Sequence, residues 1–146
     1  MAALILPCLS VRQAWAWAIV QGLKPWENRP RRFNYRGPVL IHAGKTLDAD
    51  YAGACDVIER LSGKRPPAVT DTGGLVGAAM LTDCAAPLAS HDGWRGAGEF
   101  GLRFEHAITL PFRPVKGMLG LFKVELTATE QAVIEPWIAT FGKNHP

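Results

Sequence analysis

The run Leu9 to Lys45, LSVRQAWAWAIVQGLKPWENRPRRFNYRGPVLIHAGK, constrains the fold more than any other stretch of the chain. It holds a helix start, an amphipathic helix, a proline-broken charged segment and a strand apolar on both sides. This order departs from strict strand-helix-strand alternation and argues against a doubly wound sheet. The same run concentrates positive charge. From Met1 to Lys45, seven basic side chains (Arg12, Lys24, Arg29, Arg31, Arg32, Arg36 and Lys45) face one acid, Glu27. The rest of the chain carries nine basic and twelve acidic groups, against an overall net charge of +3. An anionic partner at the N-terminal part is the expectation from that asymmetry.

Leu4 to Leu9 reads as a strand. Ser10 and Gln13 then match the Ser-x-x-Gln capping box, in which the hydroxyl accepts from one free amide and the glutamine reaches back to another. Val11, Trp15, Ala18, Ile19 and Gly22 recur at helical spacing, and Gly22 ends the helix. Lys24 to Arg29 is too short and too rich in charge and proline for a second helix. It reads as extended with an irregularity at Pro25. Val39 to Ala43 is a strand, and Asp48 is the expected cap of a helix burying Tyr51, Ala54, Cys55, Ile58 and Leu61.

Ser62 to Gly74 reads as a loop and Leu75 to Thr82 as a strand. Ala85 to Gly98, Gly-rich with one large aromatic, Trp94, reads as a loop able to cover a cleft. Phe100 to Phe104, Ala107 to Leu110 and Leu119 to Leu126 are three further strands. Thr127 and Glu130 form a second capping box before a helix that buries Val133, Ile134, Trp137, Ile138 and Phe141, and Pro136 must kink or restart it. Five or six short strands with helices against them predict an α+β fold built on a small curved sheet or partly open barrel.

With 48% hydrophobic and 20% charged residues, 146 residues suffice for one domain, 1–146, with a true core. Residues 127–146 would be a C-terminal helical extension. No apolar run reaches the about 20 residues of a membrane span, so no membrane partner is expected. The apolar N-terminus lacks a leading positive charge and reads as a first strand rather than a signal peptide. Cys8, Cys55 and Cys84 are odd in number and far apart, which predicts reduced core thiols in a cytoplasmic protein. No cysteine pair has metal-ligand spacing and the four histidines are scattered, so neither metal nor other cofactor is expected.

Several residues could carry chemistry. Arg12, placed at the second helical position by the Ser10 cap, would bind an anion together with the free amides of that turn, or else be a solvated cation. Lys24, Glu27 and Arg29 could hold a nucleotide. Glu27 would accept from a base amino group, with Lys24 and Arg29 neutralising phosphate or polarising a carbonyl; the alternative is a structural ion cluster. Arg29, Arg31, Arg32 and Arg36 interleave with Phe33 and Tyr35, a pattern in which bases stack while cations follow the backbone, or equally one in which the rings are core and the arginines solvated. His42 is either a hydrogen-bonded core residue or a base. Lys45 ends the His42 strand, where a side chain can reach into a cleft. Ser90 and His91 are adjacent, but nothing marks a third triad member.

Together Leu9-Ser10-Val11-Arg12-Gln13-x-Trp15-Ala16, Gly22-x-Lys24-x-x-Glu27-x-Arg29, Tyr35-Arg36-Gly37 and Ile41-His42-Ala43 resemble the ASCH domain family. Gly74-Leu75-Val76-Gly77, Phe100-Gly101-Leu102 and Pro114-Val115-Lys116-Gly117 extend the resemblance to about Leu126. It implies a PUA-like small mixed β-barrel of five or six strands flanked by helices. It also implies a cleft beside the first helix, suited to RNA or a modified nucleoside. Some members are hydrolases, one group deacylating modified cytidine and others cutting RNA. In the amide-hydrolysing group the Lys of this element is catalytic and a Thr stands at the Glu27 position. Here Lys24 matches, but Glu27 removes that hydroxyl nucleophile. A neighbouring carboxylate also favours charged Lys24, so a phosphate contact or electrophile is expected of it rather than a base.

The leading expectation is RNA binding by Ser10, Arg12, Gln13, Lys24, Glu27, Arg29, Arg36, Lys45 and Lys116. A metal-independent ribonuclease or modified-nucleoside hydrolase is the alternative, with Lys24, Glu27 and His42 as catalytic candidates. A protein-interaction module is the third. A monomer or weak homodimer is expected, the latter through an edge strand or the last helix.

Overall fold

The computed structural model describes residues 3–142. Six strands form one sheet: β1 (Ile5–Val11), β2 (Trp26–Arg29), β3 (Gly37–Ala43), β4 (Gly74–Ala85), β5 (Phe100–Pro114) and β6 (Leu121–Glu125). Three helices accompany them, α1 (Trp15–Val20), α2 (Tyr51–Ser62) and α3 (Ala128–Phe141). The strand order is β2-β5-β4-β3-β1-β6, antiparallel except for the parallel pair β1 and β3. The sheet is open, with β2 and β6 as its edges, so no closed barrel forms. A side-chain bond spans the curl instead: Arg29 of β2 donates to the Ser10 carbonyl of β1 at 2.8 Å.

Period-two alternation sorts the core onto the two faces of the sheet. Val39, Ile41, Ala79, Leu81, Leu102 and Phe104 pack with Ile19 and Val20 of α1. Leu40, Ala78, Met80, Phe122 and Val124 pack with Ile134 and Trp137 of α3. β3 is therefore buried on both sides, as its unbroken apolar run requires. α2 closes over α1 through Cys55 and Ile58 against Ala14 and Ala18. Gly77 lets α1 lie against the sheet, because a Cβ there would meet the Ile108 carbonyl at 2.2 Å and Val20 at 2.6 Å.

Several sequence expectations change at this level. Ser10 caps no helix; it belongs to β1, whose pairing with β3 continues to Val11 and Ala43. α1 starts after Ala14, which makes no side-chain cap, and Gln13 Oε1 accepts from the Trp17 amide instead. The cap of α2 is Asp50, not Asp48. The two strands expected at 100–104 and 107–110 are one 15-residue strand. A bulge opposite Ala78 and Met80, with His106 at φ 55°, bends it without breaking it. The last strand begins at Leu121, and Leu119 is fully exposed. α3 has the expected capping box and runs unbroken through Pro136. Burial of Ile134 and Trp137 on either side, and the Trp137 indole bond to the His106 carbonyl at 2.7 Å, offset the lost helical bond. The end of the expected 127–146 extension, residues 143–146, lies outside the described residues, as does His145. No helix among the described residues is long and apolar enough to cross a membrane.

Candidate functional site

β6 begins only at Leu121, opposite Leu9, so Ser10 is paired with no residue of β6. There the sheet opens into a cleft of about 1890 Å³. The ends of β1 and β3, the start of α1, Glu27 to Arg29 of β2, the 86–99 loop and the β5–β6 turn contribute to its wall. The volume exceeds the roughly 300–1,000 Å³ of a small-molecule pocket and suits an extended ligand.

Glu27 is the hub of the charged cluster. Its Oε1 accepts from Lys24 Nζ at 3.0 Å, and its Oε2 from Arg29 Nε at 3.1 Å. Lys24 is only 4% exposed and also donates to the Trp26 carbonyl. No strand bulge is needed to join Lys24 to Glu27. Lys24 precedes β2, and the turn after α1, where the Leu23 and Lys24 amides both donate to the Ala18 carbonyl, aims it back. Lys24 also sits 5.7 Å from the centroid of the Trp15 ring.

Ser10 and His42 form a second pair. Ser10 Oγ lies 2.9 Å from His42 Nδ1, and His42 Nε2 lies 2.6 Å from the Val115 carbonyl. The His42 ring is 1% exposed, with its edge against Phe122. His42 lines the cleft together with Ser10, its ring otherwise covered.

Two tryptophans lie on the cleft wall: Trp94, in the loop expected to cover a cleft, and Trp15, which sequence reasoning placed in the apolar stripe. Trp15, expected in the apolar stripe, is half-buried, and its indole N–H donates to Asp48 at 2.9 Å. Trp94 sits in the 86–99 loop, which Asn28 pins to β2. The Asn28 amide donates to the Trp94 carbonyl, and its oxygen accepts from the Gly96 amide, both at 2.9 Å. The available signal was one large aromatic in a Gly-rich loop.

Arg12, Lys45 and Lys116 are exposed and line the same cleft. With Lys24 and Arg29 they make five cations against three carboxylates, Glu27, Asp48 and Glu99. Arg12 does not share its place with a helix N-terminus, because it precedes the six-residue α1. Two expected residues lie elsewhere. Gln13 is buried and bonded to the Asp71 carbonyl and Trp17 amide, and Arg36 donates to the carbonyls of Phe33 and Tyr35. Ser10, Arg12, Lys24, Glu27, Arg29, His42, Lys45 and Lys116 come together in one cleft. Ser90 and His91 form no catalytic array: among the described residues neither side chain makes a hydrogen bond.

An open mixed sheet with a cation-rich, tryptophan-walled cleft at its uncovered end defines a small α+β domain. The chain belongs to the ASCH domain family, whose model matches residues 9–125, from the last residues of β1 to the end of β6. That family has a PUA-like fold and is in general an RNA-binding module. Comparison with curated proteins returns no match for the chain.

Proposed function

We propose that the chain binds single-stranded RNA, with one base held in this cleft. The observation that carries the reading is Glu27, a buried carboxylate fixed by Lys24 and Arg29 inside a tryptophan-walled groove with surplus positive charge. A carboxylate has about four acceptor sites, so Glu27 retains capacity for a base amino group after both cations bind. Trp15 and Trp94 offer faces on which an unpaired base stacks, worth about 1–3 kcal/mol per base. Arg12, Lys45 and Lys116 meet phosphates along the rim. A modified nucleoside uses the same base contacts without the rim.

The test is labelled single-stranded RNA with chelator present, reading binding and cleavage together. Wild type binds, and affinity falls with salt. The rim variant Arg12→Ala/Lys45→Ala/Lys116→Ala flattens the logarithmic salt slope by about 2, from three contacts at about 0.7 each. Binding that ignores both salt and the rim variant would sink the reading.

A further inference from the structure

The geometry points to a second activity in the same cleft: Ser10 is a nucleophile activated by His42, and it attacks carboxylic esters. This goes beyond RNA binding and stands without it. Ser10 and His42 are register partners on the parallel strands β1 and β3, so their side chains leave the same face together. The Val115 carbonyl can only accept, so the His42 proton resides on Nε2, and the free Nδ1 accepts from the Ser10 hydroxyl. A hydroxyl aimed at a basic nitrogen, with the other ring nitrogen held by a third group, is the arrangement that activates a serine. A purely structural histidine bond accounts for the buried ring. It does not account for a partner hydroxyl on a cleft wall, beyond the end of the covering strand.

Two neighbours fix the pair. Arg29 Nη2 holds the Ser10 carbonyl at 2.8 Å. Gly117 is required by close approach, since a Cβ there would sit 2.8 Å from His42 Cε1 and 3.3 Å from Ser10 Oγ. In the reaction, Ser10 Oγ bonds to the ester carbonyl carbon while its proton passes to His42 Nδ1, and the carbonyl electron pair moves to oxygen. Lys24 and Arg29 line the cleft in which that negative charge develops. Collapse breaks the bond to the alcohol oxygen, which leaves with the Nδ1 proton. Water then attacks the acyl-serine, giving its proton to Nδ1. Ser10 recovers that proton as the carboxylic acid departs. The cation surplus favours esters that carry negative charge.

A fluorophosphonate is the direct probe: Oγ bonds to phosphorus and fluoride leaves. Wild type should gain one phosphonyl group, mapped by peptide mass to Ser10, and should hydrolyse p-nitrophenyl acetate. Ser10→Ala abolishes both. His42→Gln slows labelling by about 100-fold. Ser10→Cys, reacted with iodoacetamide at neutral pH, alkylates at position 10 faster than the same variant carrying His42→Gln, a comparison that survives if Ser10→Ala misfolds. No adduct on wild type, an adduct elsewhere, or equal rates with and without His42 would overturn the proposal. RNA binding measured on the same preparations separates the two activities. Labelling without RNA binding counts only against the RNA reading.

Discussion

Removing the Glu27 carboxylate strands two cations at once, whereas removing Lys24 strands none. In Glu27→Gln no carboxylate remains between Lys24, at 4% exposure, and Arg29; the amide oxygen can accept from one of them, while the amide NH2 faces the other. Breaking a buried pair from one side costs about 3–5 kcal/mol. In Lys24→Met the carboxylate still has Arg29 at 3.1 Å, so the loss is one charge-assisted bond, about 1.5 kcal/mol. At about 3 °C per kcal/mol for a chain of this length, Tm falls by about 10 °C in the first variant and about 5 °C in the second. The double variant removes the stranded lysine and is more stable than Glu27→Gln alone, a reversal of additivity expected only for directly coupled charges. Differential scanning calorimetry at neutral pH reads all three. A double variant no more stable than Glu27→Gln, or a Lys24→Met loss as large as the Glu27→Gln loss, would refute the hub.

Three further outcomes follow from the structure. Burial alone would raise the Glu130 carboxyl, but hydrogen bonds from Arg113 and the Thr127 cap hold it below its ordinary 4.5. Its contribution is therefore present above pH 4.5 and lost as pH falls through the lowered value; acid unfolding of Glu130→Gln should be less steep with pH than that of wild type. Burial pushes the Cys8 thiol up to about 12, against a smaller opposing pull from Arg113, so a thiol reagent at pH 8 should leave Cys8 unmodified until denaturant is added. Asn28→Ala removes both bonds pinning the 86–99 loop, a local loss of about 2 kcal/mol, and limited proteolysis should then cut between Ala86 and Glu99 first.

What the sequence makes legible is what local chemistry decides. The unbroken apolar run of β3 demands burial on both faces, and Thr127 with Glu130 forms its capping box because the nonlocal Arg113 shares Glu130 without displacing the cap. At Ser10 the same kind of pattern fails, since strand pairing from Val11 to Ala43 outweighs a local cap. The break expected near residues 105–106 fails for a related reason: β4 pairs on both sides of His106, and the bulge absorbs the misfit. The charged cluster was legible through its spacing, and its partners were not. Asp48 orients Trp15, Asn28 anchors the Trp94 loop and Val115 orients His42 across long stretches of chain. Such partners carry no periodicity to read.

The five indole N–H groups report most directly on where a ligand sits. Trp15 and Trp94 line the cleft, while the Trp137 indole is bonded to the His106 carbonyl on the α3 side of the sheet. The decisive measurement is titration of 15N-tryptophan-labelled protein with a short single-stranded RNA, read by NMR. If RNA occupies this cleft, the Trp15 and Trp94 signals shift together and saturate while Trp137 stays in place. Saturable shifts at Trp137 alone, or no shift at either cleft tryptophan at high RNA concentration, would contradict it.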